Sequence, residues 1–293
     1  MDTPRIAVAY LATTGGDDAV AVGEQVARTL GARLDLCLVL PSERSERPVS
    51  ATTSDSTVYR EAKDWLNIAA SRVTSDLRVG THLSFDESST SGLIAATQSL
   101  GAEALVVGGA GGGMAGAFTL GSVVNDLVHA SPVPVVIAPR GARLRPVDRI
   151  RELTCAIGTR PGAESVLSTA LRFCRATRTP LRLASLVTVG DTDLQGEAEQ
   201  HAHDALSRAK AFLPEDVPTT SVVVTGTSVE DAANKLDWQD GDVLMVGSSR
   251  LAQPRRLFLG STAAKMLRVL RVPVVVVPKA ELPEDDEAAV GPI

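Results

Sequence analysis

The sequence predicts an α/β protein of two tandem five-stranded parallel-sheet (Rossmann-like) domains with helices on both faces, and three observations carry that prediction. Apolar segments of strand length alternate with longer amphipathic segments along the whole chain. The strand segments are apolar on both faces, as a parallel sheet covered by helices on each side requires. The pattern is also written twice: "VVGGAGGGMAGAFTLGS" (106–122) is answered by "MVGSSRLAQPRRLFLGS" (245–261), and "PVPVVIAP" (132–139) by "RVPVVVVP" (271–278), each 139 residues on. A repeat of that length is a whole domain rather than a solenoid unit.

The elements follow in order. The first copy reads as strand "RIAVAYL", helix 18–30, strand "RLDLCLVL", helix 59–77, strand "THLSF", helix 91–100, strand "EALVVGG", helix 121–130 and strand "PVVIA". In helix 59–77 the residues Trp65, Leu66, Ala69, Val73 and Leu77 form one apolar stripe. The second copy repeats the order with "LTCAIG", 163–176, "LRLASLV", 194–212, "TSVVVTG", 228–237, "DVLMVGS", 260–270 and "VPVVVVP". "ARLDLCLVL" (32–40) and "TPLRLASLV" (179–187) stand 147 apart, so the first copy holds about eight extra residues. The Ser-rich stretch "SERSERPVSATTSDSTV" is where they fit, as a mobile surface loop. The expected domains are 1–143 and 148–279, joined within "RGARLRPVDR", with an acidic disordered tail at 280–293.

Composition narrows the function. Hydrophobic residues at 44% and charged residues at 22% supply two buried cores. A net charge of −6 is the wrong sign for wrapping a phosphate backbone or an anionic membrane. Nine aromatic residues leave little to stack bases on. No apolar run reaches the ~20 residues of a membrane span, and the start "MDTPRIAVAYLATTGGDD" lacks the pattern of a signal peptide. Cys37, Cys155 and Cys174 are far apart and read as buried small hydrophobes in a reducing cytoplasm. His82, His129, His201 and His203 form no triad or metal spacing, and His201 and His203 read as a solvated face. The acid pairs Asp17-Asp18 and Asp285-Asp286 also read as solvated. No activated nucleophile stands out, so the expectation is no enzyme, or at most a slow ATPase.

Seven glycines between 108 and 121 separate the fourth strand from the last helix. Bare backbone N–H groups there can close on an anion, and the helix at Gly121-Ser122 aims its positive end at the same space. Phosphate is the expected anion. A P-loop is absent because Met114 follows Gly113 where Lys is needed. A GxGxxG at Gly111, Gly113 and Gly116 follows the fourth strand rather than the first, which supports a dinucleotide site only weakly. The spacing G-x-x-G-x₉-G-[S/T], met by Gly108, Gly111, Gly121 and Ser122, resembles the ATP-binding pattern of the universal stress protein family.

That resemblance covers nearly the whole chain, twice, and implies nucleotide phosphates on the glycine loop. It implies Gly108, Gly111 and Gly112 at the loop, with Gly121, Ser122 and Val123 at the triphosphate. ATP or a related adenine nucleotide is the implied ligand, with Mg²⁺ an optional companion. The second copy keeps Gly247, Gly260 and Ser261, but Arg250 replaces the second glycine. Members of the family that bind ATP usually carry an Asp at the end of the first strand; "AVAYLATT" and "CAIGTRP" have no acid there. Two roles therefore stay open: a nucleotide-responsive regulator with an unknown protein partner, or an interaction module that has lost nucleotide. Glycine loops also serve as tight turns, and Ser122 and Ser261 also suit helix capping. The apolar last strands, 133–138 and 272–277, are expected to face each other as an internal pseudo-dimer. A further homodimer is left open.

Overall fold

The computed structural model describes residues 3–42, 57–109, 121–158, 163–188, 195–211, 213–247 and 260–278. The first half runs β1 (Arg5–Ala9), α1 (Thr14–Leu30), β2 (Arg33–Pro41), α2 (Thr57–Arg72), β3 (Val79–Asp86), α3 (Ser89–Leu100), β4 (Ala104–Gly108), α4 (Ser122–Ala130) and β5 (Val135–Ala138). A 3₁₀ turn at Ala142–Leu144 leads into the second half. There follow β6 (Glu152–Ala156), α5 (Ala163–Thr177), β7 (Leu181–Thr188), α6 (Gln195–Ala211), β8 (Thr219–Gly226), α7 (Val229–Asn234), β9 (Asp242–Gly247), α8 (Ser261–Leu267) and β10 (Val274–Val277). The expected glycine-run residues 110–120, most of the Ser-rich loop and the acidic tail lie outside the described residues.

The two halves share one ten-stranded sheet in the order β3-β2-β1-β4-β5-β10-β9-β6-β7-β8. Neighbours are parallel except at the centre, where β5 and β10 pair antiparallel with Val136 opposite Val275. The expected facing of the two last strands is thus a direct ladder. Alternation along each strand splits the core into two layers. Ile6, Val8, Val136 and Val275 lie in one; Ala7, Leu105, Ile137 and Val276 lie in the other. Each layer runs unbroken through both halves, and α1 packs on α5 across the junction.

Local chemistry sets the helix ends. Thr13, extended at φ −133°, caps α1 by accepting a bond from the Gly16 N–H at 3.2 Å, so the helix starts four residues before the expected 18. Gly31 closes it in the left-handed region at φ 65°. α2 stops at Arg72 rather than 77, because the β-branched pair Val73-Thr74 follows and Arg28 of α1 binds both Thr74 and Asp76. Its buried face is Ala62, Leu66 and Ala69; Trp65 points outward, 41% exposed, and leaves the expected stripe. α7 ends at Asn234 rather than 237, since the Trp238 indole N–H takes the Ala233 carbonyl, which a continuing helix would give to residue 237.

Buried carboxylates pin the amino ends of the strands. Asp35 on β2 is fully buried and accepts from Arg33 and His82, with Arg5 at 3.0 Å on its other oxygen. Asp242 on β9 is likewise fully buried, held by Arg151 at 2.6 Å and Arg182 at 3.5 Å. Neither network is visible as a sequence motif. Each is tolerable only because the charge is fully paired.

Candidate functional site

Within each half the strand order reverses beside the first strand, between β1 and β4 and between β6 and β9. Open α/β sheets bind ligands beyond the carboxyl ends of strands at such a point. Beyond β1 and β4 lies a cavity of about 250 Å³ with two unlike ends.

One end is made of helix starts. Gly121 caps α4 with no side-chain hydrogen bond, and the first intrahelical bond runs from the Asn125 N–H to the Gly121 carbonyl at 2.9 Å. The amides of Ser122, Val123 and Val124 therefore have no helical acceptor, and all three residues line the cavity. Thr13, Gly15 and Gly16 bring in the start of α1, and Ser89 brings in that of α3. Three positive helix ends thus converge on one hollow. Ser122 sits at the first helical position and is exposed, so it is not the cap that sequence alone suggested.

The other end is apolar: Ala9, Cys37, Val39, Leu93, Val107 and Leu127. No carboxylate lines the cavity among the described residues, in keeping with Ala9 at the end of β1. Burial, with the nearby Asp35 charge, pushes the Cys37 thiol up to about 12, so it stays protonated and unreactive at neutral pH. Burial also raises Tyr10, with Asp17 adding to the shift.

Gly108 has a packing duty as well. A Cβ there would stand 1.9 Å from the Gly15 carbonyl oxygen, so only glycine lets α1 begin so close to β4. Of the residues expected at the site, Gly108, Gly121, Ser122 and Val123 come together on this cavity. Gly111 and Gly112 lie outside the described residues.

The second half copies the frame. Gly247 ends β9, Gly260 caps α8 without a side-chain bond, and Ser261 is again the first helical residue rather than the cap. The Ala264 N–H reaches the Gly260 carbonyl at 3.0 Å. Arg250 lies outside the described residues.

One residue beside the first site was misjudged from sequence. Asp18 is not solvated: it is 2% exposed, accepts from the backbone N–H groups of Gly141 and Arg143, and pairs with the Arg143 guanidinium at 3.0 Å. It ties α1 to the segment joining the halves. Its only sequence signal was a place in the first turns of a helix, which also suits an exposed acid. His201 and His203 are both exposed, flanking buried Ala202 on α6. Among the described residues no group of three or more His, Cys, Asp or Glu side chains is placed to hold a metal.

Fold and site define a tandem of two Rossmann-like α/β domains, each with a glycine-ended fourth strand and a glycine-capped last helix. The profile of the Universal stress protein family matches residues 3–139 and again 150–278, and the chain belongs to that family. A universal stress protein of Mycobacterium tuberculosis (strain H37Rv) is 29% identical over 296 residues, which span 93% of this chain and 99% of that one. Another from the same strain is 27% identical over 186 residues, 60% of this chain and 61% of the relative. Among solved structures, a universal stress protein of Archaeoglobus fulgidus matches at TM-score 0.64 and 16% identity, covering 96% of this chain and all of that one. One from Pseudomonas aeruginosa UCBPP-PA14 matches at TM-score 0.57 and 17% identity, over 94% and 93% of the two chains. These structural likenesses speak for the fold.

Proposed function

We propose that the first half binds ATP or a related adenine nucleotide and that the protein acts as a nucleotide-responsive, non-enzymatic regulator. The observation that carries this reading is the convergence of three helix starts, with open amides at Ser122–Val124, on a cavity whose far end is apolar. The amides would donate to phosphate oxygens, and the apolar end would receive the base. Gly108, Gly111 and Gly112 would flank the phosphates, and Val123 would hold them through its N–H. Any Mg²⁺ would ride on phosphate oxygens and the Ser122 hydroxyl, since no carboxylate lines the described cavity. In the second half, Gly247, Gly260 and Ser261 keep the frame, and Arg250 would fill or hold the phosphate space. Nucleotide contact along 108–121 would change the surface offered to a protein partner.

The domains are proposed as 1–143 and 148–279, and the setting as cytoplasmic. Three free, buried thiols support that setting. A second reading, an interaction module without nucleotide, draws support from the same acid-free lining. Mass spectrometry of ligand released from the denatured purified protein separates the two readings. Calorimetry should then show Gly121→Val losing about tenfold in ATP affinity, because a branched side chain enters the cavity at the start of α4. Equal affinity would move the site elsewhere.

A further inference from the structure

The segment between the halves lies along α1 and is pinned at both ends. Near the start of α1, Asp18 holds Gly141 and Arg143. Near its end, the Thr29 hydroxyl accepts from the Ile150 N–H at 2.9 Å. Between the pins the segment stands off the helix and leaves a cavity of about 60 Å³, lined on the other side by the turns before β9 and β10 and partly open to solvent.

Gln25 of α1 lines this cavity and is 4% exposed, yet its side-chain NH₂ has no hydrogen-bond partner among the described residues. A buried donor left unsatisfied costs on the order of 1–3 kcal/mol, so the position calls for an acceptor. Arg140, Arg145 and Arg271, all exposed, line the same cavity from two separate segments. Two acids lie nearby. Asp242 is already consumed by Arg151, Arg182 and the Gln239 N–H. Asp240 is exposed like the three arginines and offsets one of their charges, which leaves the lining positive and favours a negative guest. A cation is disfavoured, because the unsatisfied buried group among the described residues that line this cavity, the Gln25 amide, is a donor. The volume suits a few waters or one small ion and is far too small for a nucleotide.

We propose that this interdomain cavity is a binding site for one small tetrahedral oxyanion of the phosphate or sulfate class, accepting from Gln25 and gathered by Arg145 and Arg271. Bound there, the anion bridges α1, the connecting segment and the second half. It would stiffen the junction independently of the nucleotide cavity.

The test uses the full chain carrying Gly121→Val, which weakens the nucleotide cavity, and the Gln25 and Arg145 variants assign the binding that remains to the interdomain cavity. Titration with inorganic phosphate and then sulfate should reveal one site that acetate and chloride do not fill. Gln25→Leu should weaken it about tenfold while leaving the fold intact. Arg145→Gln changes an exposed side chain and serves as the second variant should Gln25→Leu fail to fold; it should weaken phosphate but leave ATP binding by the parent protein unaltered. The proposal is overturned by absence of phosphate binding, by both variants binding as tightly as the parent, or by acetate competing equally. A phosphate-soaked crystal with water alone on Gln25 would overturn it too.

Discussion

Gly108 lines the cavity and also packs against α1, and the packing sets a hard constraint. Gly108→Ala places a methyl against the Gly15 backbone, which cannot swing away as a side chain would. Denaturant unfolding should show a loss of about 1–3 kcal/mol or more. An unchanged midpoint would mean that α1 shifts freely. The thiols make a second residue-scale prediction. Burial pushes Cys37 and Cys174 up to about 12 from an ordinary 9.0, and Cys155 upward as well. The native protein should therefore resist Ellman's reagent at pH 8 and expose all three thiols in denaturant. Because the folded values are raised, the protonated thiols' contribution is intact below pH 9 and lost as pH climbs toward 12. Fast native labelling at pH 8 would contradict the burial. The cysteines were legible from sequence because small apolar-like residues sat in apolar segments. Asp18 was not, because its partners Gly141 and Arg143 are more than 120 residues away.

At the scale of elements, the spacing of apolar runs located each β-strand and α-helix among the described residues, while their ends followed contacts that spacing does not encode. α2 yields to Arg28 at Thr74 and Asp76, and α7 to the Trp238 indole. The β5–β10 ladder is the element on which the union of the halves depends. Val136 and Val275 stand opposite each other, 2% and 9% exposed, under the layer where α1 meets α5. Lysine at both positions would bury two like charges side by side, at a cost on the order of 3–5 kcal/mol. NMR relaxation should then report two halves tumbling separately. A single slow correlation time would show that the ladder is dispensable.

Over the whole molecule, the antiparallel centre turns the second half upside down relative to the first. The carboxyl ends of β4 and β9 therefore point in opposite directions along the strands of the ten-stranded sheet. The same geometry makes the first half unfinished alone. Residues 1–143 expressed separately should dimerise through exposed β5, read as a doubled mass by light scattering. A stable monomer would argue that β5 needs no partner. The sequence by itself determined the doubled α/β pattern, the order of elements, and the glycines Gly108 and Gly121 that line the cavity beyond β1 and β4. Those follow from local periodicity and backbone freedom, which neighbouring residues encode. Only the tertiary structure decided that the sheets fuse, that Asp18, Asp35 and Asp242 are buried in ion pairs, and that a cavity with an unsatisfied Gln25 lies under the connecting segment. Those depend on groups far apart in the chain meeting in space, where the cost of burying a charge or a donor is settled by partners that no local pattern names.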